Sequence, residues 1–278
     1  MECILMLMNL YYNTQKTDSK CNWVMDSLIK GWPLSRPMRD RQYHGGPSSF
    51  WGFIDANWSL IQEHQKWGDD WYFWDMPYYG RWSGLAKALG SKDFYWRVSK
   101  NDVHPTKIIK RPSDRFNKWG VEIQNWKTNG SFILVAPSSD TMTRWCTGLS
   151  AESWVTKTVN ELQKHTDREI RVRHKPRAKG TSGPDAAKLS GLEDFKQAMD
   201  GAWAVVTSVS MCAVEAQLAG VPTFCCKNSG ALPVSLTKLS KIEQPLRIDR
   251  EEWLYHLAYS QFTHKEIENG YAYEIIND

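Results

Sequence analysis

Two α/β domains, each built on a largely parallel, doubly wound sheet, are the fold class that the sequence predicts for this chain of 278 residues. Three observations predict it. Short apolar runs alternate with helix-periodic segments through the second half, the pattern of strand–helix–strand crossovers. The length allows one large domain or two of roughly 130–150 residues. The charge balance also changes sign near residue 129: Lys and Arg outnumber Asp and Glu 18 to 13 before it and trail them 17 to 18 after it. The expected domains are therefore 1–129 and 130–278, with terminal helices that cross back to the first.

Glu2–Leu10 reads as a buried first strand, since Met1–Met8 lacks the basic start of a targeting segment. Asp55–Lys66 is an amphipathic helix with Ile61 on its buried face, and Trp71–Trp74 is an apolar strand that ends at Asp75. Ser131–Pro137 (SFILVAP) has the continuous apolar character of a strand covered on both faces. Ser150–Thr166 is a helix capped by Ser150, with Trp154, Val155, Val159 and Leu162 at helical spacing. Glu169–Arg173 alternates as a strand, Ala178–Asp185 is a loop, and Gly191–Met199 is helical. Ala202–Thr207 is another buried strand, Cys212–Ala219 a helix closed by Gly220, and Pro222–Cys226 a further strand. Glu251–Tyr259 and His264–Ala272 are the terminal helices.

Composition excludes several classes. With 41% apolar and 24% charged residues the chain is an ordinary globular one, neither disordered nor fibrous. No apolar run approaches the roughly 18–20 residues of a membrane span. The six cysteines form no CxxC pair, so neither a zinc site nor a disulfide frame is expected, and a reduced, cytoplasmic setting is. Fifteen tryptophans are about four times ordinary usage; they serve either a core of large rings or stacking platforms for bases or sugars. Between Tyr79 and Lys118 ten basic residues face three acidic ones, with aromatics interleaved. That mixture suits a phosphate backbone, or is a solvated basic face.

The motifs narrow the chemistry. GxxxxGK[ST], GxGxxG after a strand, and DxD are all absent, which speaks against a phosphate loop or a metal–diphosphate grip. His44-Gly45-Gly46 reads as a turn. In Thr207–Pro222 (TSVSMCAVEAQLAGVP) a buried strand runs straight into a helix, whose free N–H groups and the hydroxyls of Ser208 and Ser210 suit a phosphate. Glu215 follows where a carboxylate would accept from ribose hydroxyls. The alternative is a capped helix with Glu215 complementing its dipole.

Strand, Ser-x-Ser, Glu five residues on, and Gly-x-Pro together resemble the donor half of GT-B glycosyltransferases, capsule-polysaccharide types included. The resemblance covers Ser131 to about Ser235. It implies two Rossmann-like domains facing a cleft, with a nucleotide-sugar held by Ser208, Ser210 and Glu215. It further implies donor contacts from Ser138 and Ser139 after the domain's first strand, and from Arg173 and Lys175 after the second. No cofactor beyond the nucleotide-sugar is implied. Asp75, at a strand end in the other domain, is where inverting members place a catalytic base that takes the acceptor's proton. His44, Arg81, Arg97, Asn101 and His104 are the expected acceptor contacts. The basic segment favours DNA as acceptor, a hydroxymethylated pyrimidine receiving glucose from UDP-glucose as in phage enzymes of this general plan. A surface polysaccharide or lipid-linked glycan is the rival acceptor, and a non-catalytic nucleic-acid-binding protein the rival to both.

Overall fold

The computed structural model describes residues 7–54, 56–78, 95–174 and 195–278. By packing, the chain divides into one unit of Met1–Gly120 with Glu252–Asp278, and a second of Val121–Glu251. Residues 121–129, counted with the first domain on the charge pattern, pack with the second unit. The Gln124 N–H donates to the Leu218 carbonyl at 2.9 Å and that of Lys127 to Gly220 at 2.8 Å. Gly130 lies so close to the 202–203 backbone that an added Cβ would sit 2.2 Å from the Trp203 nitrogen.

In the first unit, β1 (Met8–Tyr11), β2 (Ser35–Met38), β3 (Ser48–Trp51), β4 (Trp71–Asp75), β5 (Tyr95–Lys100) and β10 (Gln261–Thr263) form one sheet, in the order β10-β5-β4-β3-β1-β2. Pairings β1/β2, β1/β3 and β3/β4 are parallel; β4/β5 and β5/β10 are antiparallel. Helix α1 (Lys20–Gly31) starts at Ser19, whose side chain accepts from the Asn22 N–H, and α2 (Asn57–Trp67) closes on left-handed Gly68. A short α3 (Asp114–Asn117) follows β5. Tyr95–Lys100, which carries the expected acceptor contact Arg97, is a strand with Trp96 and Val98 in the core. The expected His264–Ala272 helix is broken instead at Gly270 (φ +85°) into α9 (His264–Glu268) and α10 (Tyr271–Asn277).

The second unit holds β6 (Phe132–Val135), β7 (Glu169–Val172), β8 (Ala202–Val206) and β9 (Thr223–Phe224), all parallel, in the order β7-β6-β8-β9. Helices α4 (Asp140–Thr147) and α5 (Ala151–Leu162) join β6 to β7. Ser150 caps α5 as its sequence predicts. Helix α6 (Phe195–Ala198) precedes β8, α7 (Cys212–Leu218) joins β8 to β9, and α8 (Glu251–Tyr259) leads back to the first unit. The fold class is the expected one, two α/β units, the first with a mixed sheet whose centre is parallel and the second with an all-parallel sheet.

Trp71, Trp74, Trp96 and Trp253 are at most 2% exposed, and Trp32, Trp51 and Trp154 are buried with them, so half of the described tryptophans serve the core; the rest are half-buried except Trp67, at 62%. His256 of α8 is buried as well, and burial with Arg111 nearby pushes its pKa down to about 4. A folded pKa below the unfolded value near 6.5 means that this contribution is complete above pH 6.5 and is lost as the pH falls toward 4. Urea midpoints of the wild type are therefore expected to drop across that window, and His256→Phe to drop less steeply; equal slopes would refute the assignment.

Candidate functional site

The second unit offers a ligand site by topology. Its chain begins at β6, places β7 on one side and β8 on the other, and so has its switch point between β6 and β8, where doubly wound sheets bind ligands. Two loops leave there: Pro137–Ser139 and Thr207–Met211. They are tied together by Ser208, whose Oγ accepts from the Ser138 N–H at 3.1 Å and lies 3.1 Å from Thr143 Oγ1. Ser208 is fully buried. The expectation that its hydroxyl meets the donor is therefore corrected: that hydroxyl braces the two loops. Ser139 is exposed and caps α4 through the Met142 N–H. Ser210 is half-buried, its Oγ accepting from the Cys212 N–H at 3.3 Å. Glu215 is half-buried in the first turn of α7.

The Arg173 N–H extends the β6 pairing by donating to the Val135 carbonyl at 2.9 Å, and its guanidinium lies 5.4 Å from the Phe195 ring centre. Lys175 lies outside the described residues. At the carboxyl ends of β8 and β9 is a cavity of about 400 Å³ lined by Trp154, Thr158, Thr207 and Cys226. Trp154 and Thr158 read from the sequence only as the buried face of α5; that this face ends beside a ligand crevice is visible once the strands are placed. Burial raises the Cys226 thiol pKa and pushes that of Cys225 up to about 11, so neither is a thiolate nucleophile at neutral pH.

In the first unit, Asp75 ends β4 with its side chain 31% exposed. Its Oδ2 accepts from Arg97 Nη2 at 3.0 Å and its Oδ1 from the Met76 N–H at 2.7 Å. Arg97 is 1% exposed, donates from Nη1 to the Val103 carbonyl at 2.6 Å, and lies 5.6 Å from the ring centres of both Phe73 and Tyr78. Burial pushes the Tyr78 pKa up to about 12, keeping it a neutral hydroxyl 3.2 Å from His104 Nδ1.

These contacts correct the expected acceptor set. Arg97 and His104 are buried and hold the Asp75 strand end from within. Asn101 sits at the opposite end of β4: its Oδ1 accepts from the Trp71 N–H at 2.8 Å and its Nδ2 donates to Asp70 at 2.6 Å. Its φ of +58° marks a tight turn. His44 Nε2 pairs with Asp40 at 2.9 Å, holding that carboxyl below its usual pKa. The loop then runs to the amino side of β4, where the Gly46 N–H donates to Asp69 at 2.8 Å. Arg81 lies outside the described residues. What gathers at the carboxyl ends instead is Arg41, donating to the Tyr12 carbonyl and to Asn57 Oδ1, and Lys20, 3.5 Å from the Met76 sulfur. Neither stands out in the sequence, because nothing there shows that Arg41 returns to the chain leaving β1 and Lys20 to the chain leaving β4.

Removing the buried cation tests this geometry. Arg97→Met is expected to destabilise the protein by about 2–3 kcal/mol, because the Val103 carbonyl loses its donor and Asp75 its counter-charge. The cost stays at that level because Asp75 itself reaches solvent. Chemical denaturation measures it, and a change below about 0.5 kcal/mol, the scale of an ordinary surface site, would show the pair to be incidental.

No protein-family profile matches the chain and no curated protein matches its sequence. Solved structures do match. The β-Kdo 2,4 transferase of Thermosulfurimonas dismutans KpsC aligns over 92% of this chain and 92% of that one, with a TM-score of 0.50 at 10% identity. The β-Kdo 2,7 transferase of the same protein aligns over 98% and 99%, with a TM-score of 0.47 at 13% identity. At such identity the first likeness is one of fold, and it extends through both units.

Proposed function

We propose that this protein is a glycosyltransferase that moves a sugar from a nucleotide-activated donor to a hydroxyl of a carbohydrate acceptor. The observation that carries the reading is the braced switch point of the second unit, in a fold shared along the chain with a Kdo transferase. Exposed Ser139, half-buried Ser210 and the neighbouring loop N–H groups face the donor's phosphates, with Arg173 beside them; Lys175, outside the described residues, is carried as a donor contact by the sequence resemblance alone. Glu215 accepts from the ribose hydroxyls. The cavity beside Trp154 has room for a flat ring.

In the transfer step the acceptor oxygen attacks the anomeric carbon. The bond from that carbon to the phosphate oxygen breaks, the nucleotide leaves with its electron pair, and Asp75 takes the acceptor's proton. One displacement inverts the anomeric configuration.

A glycan stands ahead of DNA as the acceptor for two reasons. The fold neighbour is a β-Kdo 2,4 transferase, an enzyme of carbohydrate chemistry. Of the seven described basic residues in the segment that favoured DNA, four are also committed within the protein: Arg97 and Arg115 are buried, Lys100 pairs with Asp70 at 2.9 Å, and Arg111 with Asp278 at 2.9 Å. Glucose is likewise one donor sugar to test beside Kdo. Among the described residues no helix is long and apolar enough to cross a membrane.

Donor binding tests the reading directly. Glu215→Ala is expected to weaken nucleotide-sugar binding by about 1–3 kcal/mol, the scale of hydrogen bonds to a charged group, with little change in stability. Titration calorimetry reads the first and thermal unfolding the second. Unchanged affinity in a destabilised protein would make Glu215 structural.

A further inference from the structure

The sheet of the first unit has a second polar end that sugar transfer does not use. Because β5 runs against β4, Asp75 pairs with Arg97 and Tyr72 with Lys100. The loop leaving β5 thus begins about 10 Å along the strand from Asp75, three residues at roughly 3.3 Å each. There residues 101–111 fold against α8 and α10 and leave a groove of about 420 Å³, within the range of small-molecule sites. Its lining includes the apolar Ile109, Ile275 and Ile276 and the polar Lys107, Arg111 and His256.

His256 is the informative member. It is 6% exposed, and its Nδ1 accepts the Ile109 N–H at 3.3 Å. The neutral ring therefore carries its proton on Nε2, and that buried N–H has no acceptor among the described residues. Buried donors are almost always satisfied, so one left open beside a groove points to an acceptor supplied from outside. Arg111 is fixed at the same groove by Asp278 at 2.9 Å and the Ile275 carbonyl at 3.0 Å. Asp102, also at the groove, already accepts the Val103 N–H at 2.7 Å. At the mouth, Ile108 and Ile109 are 39% and 51% exposed, and they are the only sequence-adjacent pair among the exposed large apolar residues described. Lys107 and Lys110 flank them.

We propose that this groove binds an amphipathic anion. A phosphate or carboxylate head accepts from the His256 Nε2–H and faces Lys107 and Arg111, while an apolar body lies along Ile109, Ile275 and Ile276. The site is separate from Asp75 and does not depend on the transferase reading.

Octyl phosphate, kept below its micelle concentration, is the probe, with inorganic phosphate and octyl glucoside as its two halves. Calorimetry on the full chain is expected to show saturable one-to-one binding of octyl phosphate, at least tenfold tighter than either half. The His256 Nε2–H resonance is expected to shift along the same titration. Lys107→Glu and Ile109→Ser, both at the exposed mouth, are each expected to weaken binding at least tenfold with unchanged melting temperature, and His256→Phe to weaken it similarly. Inorganic phosphate binding as tightly would overturn the apolar half of the inference, and octyl glucoside binding as tightly the anionic half. Undiminished binding by Lys107→Glu with no movement of the His256 resonance would overturn the site.

Discussion

Asp75→Asn is expected to slow sugar transfer by about 10²–10⁴, the contribution of a general base, while donor affinity persists. The amide is nearly isosteric, but it removes the counter-charge of buried Arg97 and can accept from only one of Arg97 and the Met76 N–H. About 2–3 kcal/mol of stability is therefore expected to be lost as well, and turnover is compared at a temperature where the variant is folded. Asp69 and Asp70 are the internal controls. Asp69 accepts from the Tyr43 hydroxyl and the Gly46 N–H, and Asp70 pairs with Lys100 and Asn101, so both are spent at the amino end of β4. Their Asn variants are expected to lose some stability and to keep turnover. Full activity of Asp75→Asn beside an inactive Asp70→Asn would move the chemistry to the other end of the sheet.

The largest stability effect is expected at Gly31. A Cβ there would lie 1.7 Å from the Ile267 carbonyl oxygen, where the end of α1 packs on α9. Alanine improves helix propensity by only about 1 kcal/mol. A backbone clash of that depth forces the two helices apart and is expected to cost about 3–5 kcal/mol, in the range reserved for severe core disruptions. Gly68→Ala provides the contrast: its φ is +77° but nothing lies within 4 Å of the added carbon, so the expected cost is about 1 kcal/mol. Denaturation of the two variants side by side measures the difference. Equal losses would mean that the α1–α9 contact yields easily.

The second unit was readable from its sequence because parallel strands covered on both faces are continuous apolar runs, as in Phe132–Val135 and Ala202–Val206. The first unit hid more. β2 is SRPM, an edge strand with only Met38 buried, and β3 carries two fully buried serines, of which Ser48 is bonded to His64 and Asn9. Neither shows a strand-like pattern of apolar residues. β5 alternates Trp96 and Val98 with Arg97 and Ser99, the pattern of a strand with one wet face, yet all four are buried. Only a counter-ion on the neighbouring strand lets Arg97 be buried, and periodicity carries no trace of that partner.

The same limit governs the site. Asp75 was legible as a carboxylate closing an apolar strand, and the 207–222 segment as a strand entering a helix. Ser208 looked like a ligand contact because hydroxyls before a helix suit phosphates; its actual partners, Ser138 and Thr143, are 70 and 65 residues away in sequence. Side chains that brace two loops and side chains that meet a ligand are the same residue types. Burial separates them.

The most direct measurement is product mass spectrometry after incubating the protein with nucleotide-activated Kdo or UDP-glucose and, in parallel, with oligosaccharide acceptors or hydroxymethylated DNA. The expected result is one sugar residue added to an oligosaccharide, dependent on the nucleotide-sugar and reduced by Asp75→Asn and Glu215→Ala. Sugar transfer confined to DNA, or no nucleotide released from either donor with any acceptor, would contradict it.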